Sequence, residues 1–349
     1  MKKIVKQVLG VDVAKNELVV CLARMYDDWI PELYGYKTFT NTAKGFATLI
    51  LWVKKCTEDT VPVRFVMEST GVYHESFAYF LNENGYEVSI VLPNKISNYI
   101  RTLEVKTITD KTASEAIARF GLERKLDQWQ KPKDIFKRLR QLTRERGQIV
   151  EERTAVKNQL HAENVEAEPN KHSLKRIQER IILLNKQEIA IKKEVAALIE
   201  GDAELLGLIS VICSLPGIGL LTAAIILAET NGFELIRNKR QLTSYAGFDV
   251  VEKQSGISVK GKTKISKRGN KYLRKAMHLP ALAAIKHDER FKAIFSRTVS
   301  KHGIKMKAAV AVQRKLLEMT YTIFKSQTKY DKDYLKQTED KNKEAVLVA

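Results

Sequence analysis

The sequence predicts an α/β domain at the N-terminus, a long charged helical segment after it, and a mainly α-helical C-terminal region. Three observations carry that division. Over residues 5–129 short β-branched runs alternate with stretches of helical spacing, the pattern of a sheet covered by helices. Apolar residues then recur at heptad spacing through a stretch dense in Lys, Arg and Glu. Beyond Leu205 the spacing is helical again, with Pro and Gly at the turns. The boundaries are 1–130, 131–204 and 205–326, followed by a polar, loosely ordered tail over 327–349.

Each element has its own signal. Residues 7–13 are a β-branched run ending at an acid, and 17–23 read as its hairpin partner. Residues 46–55 have helical spacing, 62–67 form a short strand, and 73–84 a helix closed by Gly85. Residues 87–91 are another strand before Pro93, and 114–122 a helix. In the middle segment Leu174, Ile177, Ile181, Leu184, Ile191, Val195 and Leu198 keep 4-3 spacing, interrupted by polar Glu188. A matching seam runs from Ile135 through Leu139, Leu142, Ile149 and Val156 to Leu160. Two helices around Pro169 predict an antiparallel hairpin or an intermolecular coiled coil. The run Leu215-Pro216-Gly217-Ile218-Gly219 before an apolar helix resembles the turn of a helix-hairpin-helix element, whose amides can meet a phosphate; such turns are also common elsewhere.

Bulk properties narrow the function. The chain has 349 residues, and no apolar run approaches the roughly 20 residues of a membrane span. Cys21, Cys56 and Cys213 are odd in number and far apart, which predicts free thiols in a reducing compartment. The expectation is a cytoplasmic, nucleoid-associated protein without a membrane partner. A net charge of +19 favours a polyanion, because neutralised phosphates release counterions. The excess is concentrated: over residues 236–275 twelve Lys or Arg stand against two acids. Lys260, Lys262, Lys264, Lys267, Arg268, Lys271 and Arg274 are the candidate nucleic-acid-binding residues.

Two constellations point to chemistry. Asp12 and Glu68 each end an apolar strand, and Asp110 stands just before a helix. Carboxylates at strand ends on one sheet edge can converge on Mg²⁺ or Mn²⁺, and such ions stabilise the attacking and leaving oxygens of phosphoryl transfer. Alone, each acid has a duller reading, and an isolated Asp110 is more often an N-cap. Together, strand Asp, strand Glu and helix-start Asp follow the order of the RNase H-like, RuvC-type nuclease fold. The second constellation is Gln254-Ser255-Gly256 amid lysines and arginines, continuing to Ser266-Lys267-Arg268-Gly269-Asn270. A serine hydroxyl needs activation, and surrounding cations could hold a scissile phosphate before it. By itself the tripeptide reads as a turn.

From Gly10 to about Lys325 the assembled motifs resemble the Piv-type insertion-sequence transposases, the bridge-RNA-guided recombinases. Gly10-Val11-Asp12-Val13-Ala14-Lys15 resembles the first acidic motif and Met67-Glu68-Ser69-Thr70-Gly71 the second. Residues 106–119 resemble the third, Leu215-Pro216-Gly217-Ile218-Gly219 the opening of the C-terminal domain, and residues 254–270 the serine block. The resemblance implies a RuvC-like domain, a coiled coil that mediates oligomerisation as a dimer or tetramer, and a helical transposase domain carrying the serine. It implies catalysis by Asp12, Glu68, Asp110 and Ser255, with Mg²⁺ or Mn²⁺ at the three acids and a phosphoserine intermediate. The implied partners are donor DNA, target DNA and a structured guide RNA, with acids and serine meeting in a composite site across protomers.

One position departs from the family. The third motif usually carries two acids three residues apart, and Ala113 occupies the second position here. Glu115 is five residues from Asp110, about 140° round a helix. Three acids suffice, or Glu115 or an outside group substitutes, or the copy is impaired. Two other functions share part of the pattern: a RuvC-like structure-specific endonuclease, which needs no Ser255, and a basic nucleic-acid scaffold. A covalent protein–DNA adduct separates the first from a recombinase, and metal-dependent strand breakage excludes the second.

Overall fold

The computed structural model describes residues 2–333 apart from 70, 104, 106, 235, 253, 256–258 and 262, and of residues 254, 255, 259 and 260 the backbone alone. It divides into two compact units, Met1–Lys131 and Pro132–Ala349. The first contains β1 (Ile4–Val13), β2 (Glu17–Tyr26), β3 (Pro31–Thr40), α1 (Ala43–Cys56), β4 (Val63–Glu68), α2 (Glu75–Glu83), β5 (Glu87–Val91), α3 (Pro93–Ile100) and α4 (Asp110–Glu123). The strands lie in the order β3-β2-β1-β4-β5. β1, β2 and β3 pair antiparallel, whereas β4 runs parallel to β1 and β5 parallel to β4. This mixed sheet with helices on both faces is the RuvC-like architecture the sequence predicts.

The central position of β1 explains its near-continuous apolar run, since both its faces are covered. Alternation sends Leu9, Val11 and Val13 into the layer under α1 and α2. Val8 faces the opposite layer, with Ile96 of α3 and Ile117 of α4. Gly10 shares the face of Val8 and brings α4 close: a Cβ there would lie 2.4 Å from the Ala118 nitrogen and from the Ser114 carbonyl oxygen. Further along, a Cβ on Gly121 would meet Val8 at 2.7 Å and Val66 at 2.9 Å. The helix therefore runs antiparallel to β1, and its first turn overlies the end of β1 that carries Asp12.

β3 is the element the sequence does not announce. It is an edge strand that opens on Pro31, is half-exposed, and breaks register opposite Leu22 and Ala23 near Gly35. Each feature weakens the alternation by which a strand is recognised.

The second unit opens with α5 (Asp134–Asn164) and α6 (Lys171–Glu200), which bury their heptad seams against each other as an antiparallel hairpin. Asn170 caps α6 by accepting from the His172 and Ser173 amides. Glu188, the break in the seam, is 5% exposed and lies among cations. Arg146 Nη2 donates to its Oε1 at 2.8 Å and Lys192 Nζ lies 2.9 Å from the same oxygen, while Arg153 donates to Oε2. Burial alone would raise its pKa, but Lys192, Arg153 and Arg146 outweigh that and hold it down to about 2. Because the folded pKa lies below the ordinary 4.5, the contribution is full above about pH 4.5 and is lost as pH falls towards 2. Glu188→Ala leaves three cations around an empty centre and is expected to cost about 3–5 kcal/mol in urea unfolding at pH 7. That loss should shrink as both proteins are titrated towards pH 2. A loss below 1 kcal/mol at neutral pH would contradict this role.

After the hairpin come α7 (Ala203–Cys213), α8 (Leu220–Thr230) and α9 (Lys239–Ala246), then four short strands: β6 (Val250–Val251), β7 (Gln254–Ser255), β8 (Val259–Lys260) and β9 (Lys264–Ile265). α10 (Lys271–Ala276), α11 (His278–His287), α12 (Glu289–His302) and α13 (Lys305–Ser326) complete the unit. β7 pairs with β8, and β6 with β9, so the expected helical region carries two short strand pairs, one lying within the other in sequence. Among the described residues, no helix is long and apolar enough to cross a membrane.

Candidate active site

The two ends of β1 and β4 place their acids side by side. Val11 pairs with Met67, so Asp12 and Glu68 stand one position beyond the last paired residues of adjacent parallel strands. Both share the parity of Gly10 and Val66, whose face is covered by α4. Asp110 is the first residue of that helix. The cap is Thr109, whose hydroxyl accepts from the Thr112 amide in a reciprocal capping box. The duller role considered for Asp110 therefore belongs to its neighbour.

Asp110 and Glu68 both act on Asp12. Asp12 is raised to about 6, first by burial and then by the negative charges of Asp110 and Glu68. Glu115, considered as a substitute for the missing fourth acid, lies elsewhere: it acts on Cys21 of β2. Burial, then Glu115, pushes that thiol up to about 12, against Arg119 and Lys111. Ala113 stands one turn from Asp110, where the family usually has an acid. Asp12, Glu68 and Asp110 offer the hard oxygen donors that suit Mg²⁺ or Mn²⁺, and a divalent cation would offset the repulsion that raises Asp12. As they stand, no three potential ligands among the described residues close round a single point.

Asn41, which the sequence does not single out, braces the strand ends. Its Nδ2 donates to the Ala14 carbonyl at 3.0 Å and to the Tyr73 carbonyl at 3.1 Å. It thus ties the turn after β1 to the segment after β4.

In the second unit Ser255 lies in β7, with its backbone opposite Val259. Its side chain, with those of Lys260 and Lys262, lies outside the described residues. Lys264, Lys267, Arg268 and Lys271 are exposed. Arg274 is half-buried, and its Nη1 donates to the Ala246 carbonyl at 2.8 Å, so part of its donor set closes α9.

A buried carboxylate anchors the basic segment 266–270. Glu229 is 3% exposed and receives Arg144 in bidentate fashion, each bond 2.8 Å. Asn270 Nδ2 donates to Glu229 Oε2 at 2.6 Å while its Oδ1 caps α10. Gly269 lets this segment reach α9: a Cβ there would lie 2.4 Å from the Tyr245 carbonyl oxygen. Ser266 donates to Asp249 at 2.9 Å and accepts from the Arg268 amide. The one sequence signal for this anchor is Glu229 itself, a lone acid in the apolar run of α8.

A mixed α/β unit in which Asp110 and Glu68 act on Asp12, followed by a basic helical unit, is an arrangement suited to a DNA-rearranging enzyme. A transposase family model of the IS110 DEDD type matches residues 9–163. The model of the transposase IS116/IS110/IS902 family matches residues 209–296. The chain belongs to the IS110 family of transposases, which are DNA recombinases. It is 28% identical over 333 residues, 94% of this chain and 98% of the relative, to the pilin gene-inverting protein of Moraxella bovis. It is 26% identical over 148 residues to an uncharacterised 43.6 kDa protein of the insertion element IS110 in Streptomyces coelicolor, covering 42% of this chain and 35% of that one. Among solved structures, Thermus thermophilus RuvC in complex with a Holliday junction substrate is similar over 35% of this chain and 99% of its own, with 9% identity and a TM-score of 0.27.

Proposed function

We propose that this transposase cleaves and rejoins DNA through attack by Ser255, assisted by a divalent-metal site at Asp12, Glu68 and Asp110, with donor and target selected by an element-encoded RNA. The observation that supports it most is the placement of Asp12 and Glu68 at adjacent strand ends with Asp110 at the start of α4, where both neighbours act on Asp12. In this reading residues 1–130 supply the metal site and 205–326 the nucleophile. The α5–α6 hairpin, within residues 131–204, joins protomers into a dimer or tetramer. The exposed Ile182, Leu183 and Ile189 of α6 support that last assignment.

The covalent step balances without an external energy source. The Ser255 Oγ–P bond forms as the P–O bond to the departing sugar breaks. The serine proton passes to a base, and the departing oxygen leaves as a hydroxyl. One phosphoester replaces another, so attack by a sugar hydroxyl on the phosphoserine restores DNA and serine. Lys264, Lys267, Arg268 and Lys271 hold backbone phosphates by charge, and Lys260, Lys262 and Arg274 belong to the same block. A metal bound by the acids supplies Lewis-acid charge to phosphate oxygens.

The test incubates the full chain with duplexes bearing the element ends and with the element's transcript, in Mg²⁺, Mn²⁺ or EDTA. Metal-dependent recombination that requires the transcript and passes through a protein–DNA adduct is expected. Cleavage without an adduct would instead assign the chemistry to the acids alone, as in a structure-specific nuclease.

A further inference from the structure

Between the β6–β9 pair, α12 and α13 lies a cavity of about 240 Å³. Phe248, Val250, Ile265, Val310 and Ala311 give it an apolar floor. Its rim carries Lys264, His302, Lys307 and Arg314, and among the described residues no carboxylate lines it. The helix spacing explains the wall: Lys307, Val310, Ala311 and Arg314 recur on one face of α13, and Thr298 and His302 on one face of α12. Glu318, one turn on, receives Arg314 Nε at 3.0 Å and steadies that guanidinium. Burial, then the charges of Lys307 and Lys301, holds the His302 imidazole below its ordinary pKa.

We propose that this cavity receives one unstacked nucleotide of a single strand, its base on the apolar floor and its phosphates on Lys264 and Lys307, with the His302 imidazole a hydrogen-bond donor beside them. An apolar slot ringed by cations matches a nucleotide, which joins a weakly polar ring to an anionic backbone. Continuity supports the same occupant. Lys264 belongs both to the rim and to the basic block, so a strand tracking the exposed lysines reaches the cavity mouth. β6 and β9 also flank in sequence the β7–β8 pair that carries Ser255, so a nucleotide seated here fixes the strand relative to that segment. The inference rests on the membership of the chain in a DNA-acting family and not on the chemistry assigned to Ser255.

The experiment titrates the full-length protein into single-stranded oligonucleotides with 2-aminopurine placed at each position in turn, in deoxyribo and ribo series. A several-fold brightening at one register position is expected, because the probe fluoresces when unstacked. The series that brightens identifies whether the strand is DNA or RNA. Ala311→Phe grows into the cavity from a half-buried helix position and should abolish the brightening. Lys307→Ala, on the half-buried rim, should lower the slope of log affinity against log salt by about 0.7. Repeating the titration in Ser255→Ala separates this site from the nucleophile assignment, since binding needs no hydroxyl. No brightening in either series, or brightening that survives Ala311→Phe with the salt slope unchanged in Lys307→Ala, would overturn the proposal.

Discussion

Asp12→Asn should remove metal-dependent cleavage and recombination, by roughly 10²–10³-fold or more, while leaving the fold and nucleic-acid binding in place. Asp12 is the central member of the trio, since both Asp110 and Glu68 act on its charge. Asparagine keeps the volume and one carbonyl oxygen but removes the negative charge a hard cation requires. The fold should not suffer. An ionised carboxylate, half-buried beside two others, is unfavourable until a cation joins it, so the metal-free melting temperature of Asp12→Asn should equal or exceed that of the parent. Mn²⁺ or Mg²⁺ should raise the melting temperature of the parent and leave that of Asp12→Asn unmoved. Glu68→Gln and Asp110→Asn should behave alike, whereas Glu115→Gln, whose parent carboxylate acts on Cys21, should retain activity. Full recombination by Asp12→Asn would end the metal-site assignment.

The placement of the two strand acids was legible because strand periodicity is short-ranged. Asp12 and Glu68 each follow an apolar run, so their place at a strand end can be read from a few neighbours, and parity gives their shared face. The sequence also marked the start of a helix near Asp110, although the cap proved to be Thr109. Elements that depend on distant partners were not legible. The strands β6 to β9 are two residues each, too short for any alternation to register. Glu229 meets Arg144 across 85 residues of chain and Asn270 across 41, so the anchor exists only once α5, α8 and α10 have packed. The heptad seam was clear, but whether it closed on itself or on another chain was not, because either partner offers the same apolar face. The α5–α6 hairpin provides the closure within the chain, and Glu188 sets its register through cations on both helices.

Ser255→Ala should eliminate the protein–DNA adduct and the recombinant product together. If Ser255 is the nucleophile, its oxygen becomes bonded to phosphorus, and no neighbouring group replaces an attacking oxygen held at that point of β7. Loss of a covalent nucleophile costs on the order of 10⁶ in rate in a serine hydrolase, where binding and electrostatic groups remain. Ser255→Cys should retain a trace at most, since a thiol attacks but alters geometry and leaving-group character. Ser266 serves as a control in the same basic block. Its hydroxyl is engaged, donating to Asp249 and accepting from the Arg268 amide, so Ser266→Ala should cost about 1 kcal/mol of stability and keep the adduct. Ser258, outside the described residues, is the second control and should likewise be dispensable for the adduct. The decisive measurement traps adducts on cognate donor and target DNA and maps the modified peptide. An adduct on Ser258 or Ser266, with Ser255→Ala still active, would move the nucleophile to another hydroxyl. Recombination with no serine adduct at all would place the whole reaction on the acids, because water is then the only oxygen left to attack the phosphate and rejoining needs a free sugar hydroxyl.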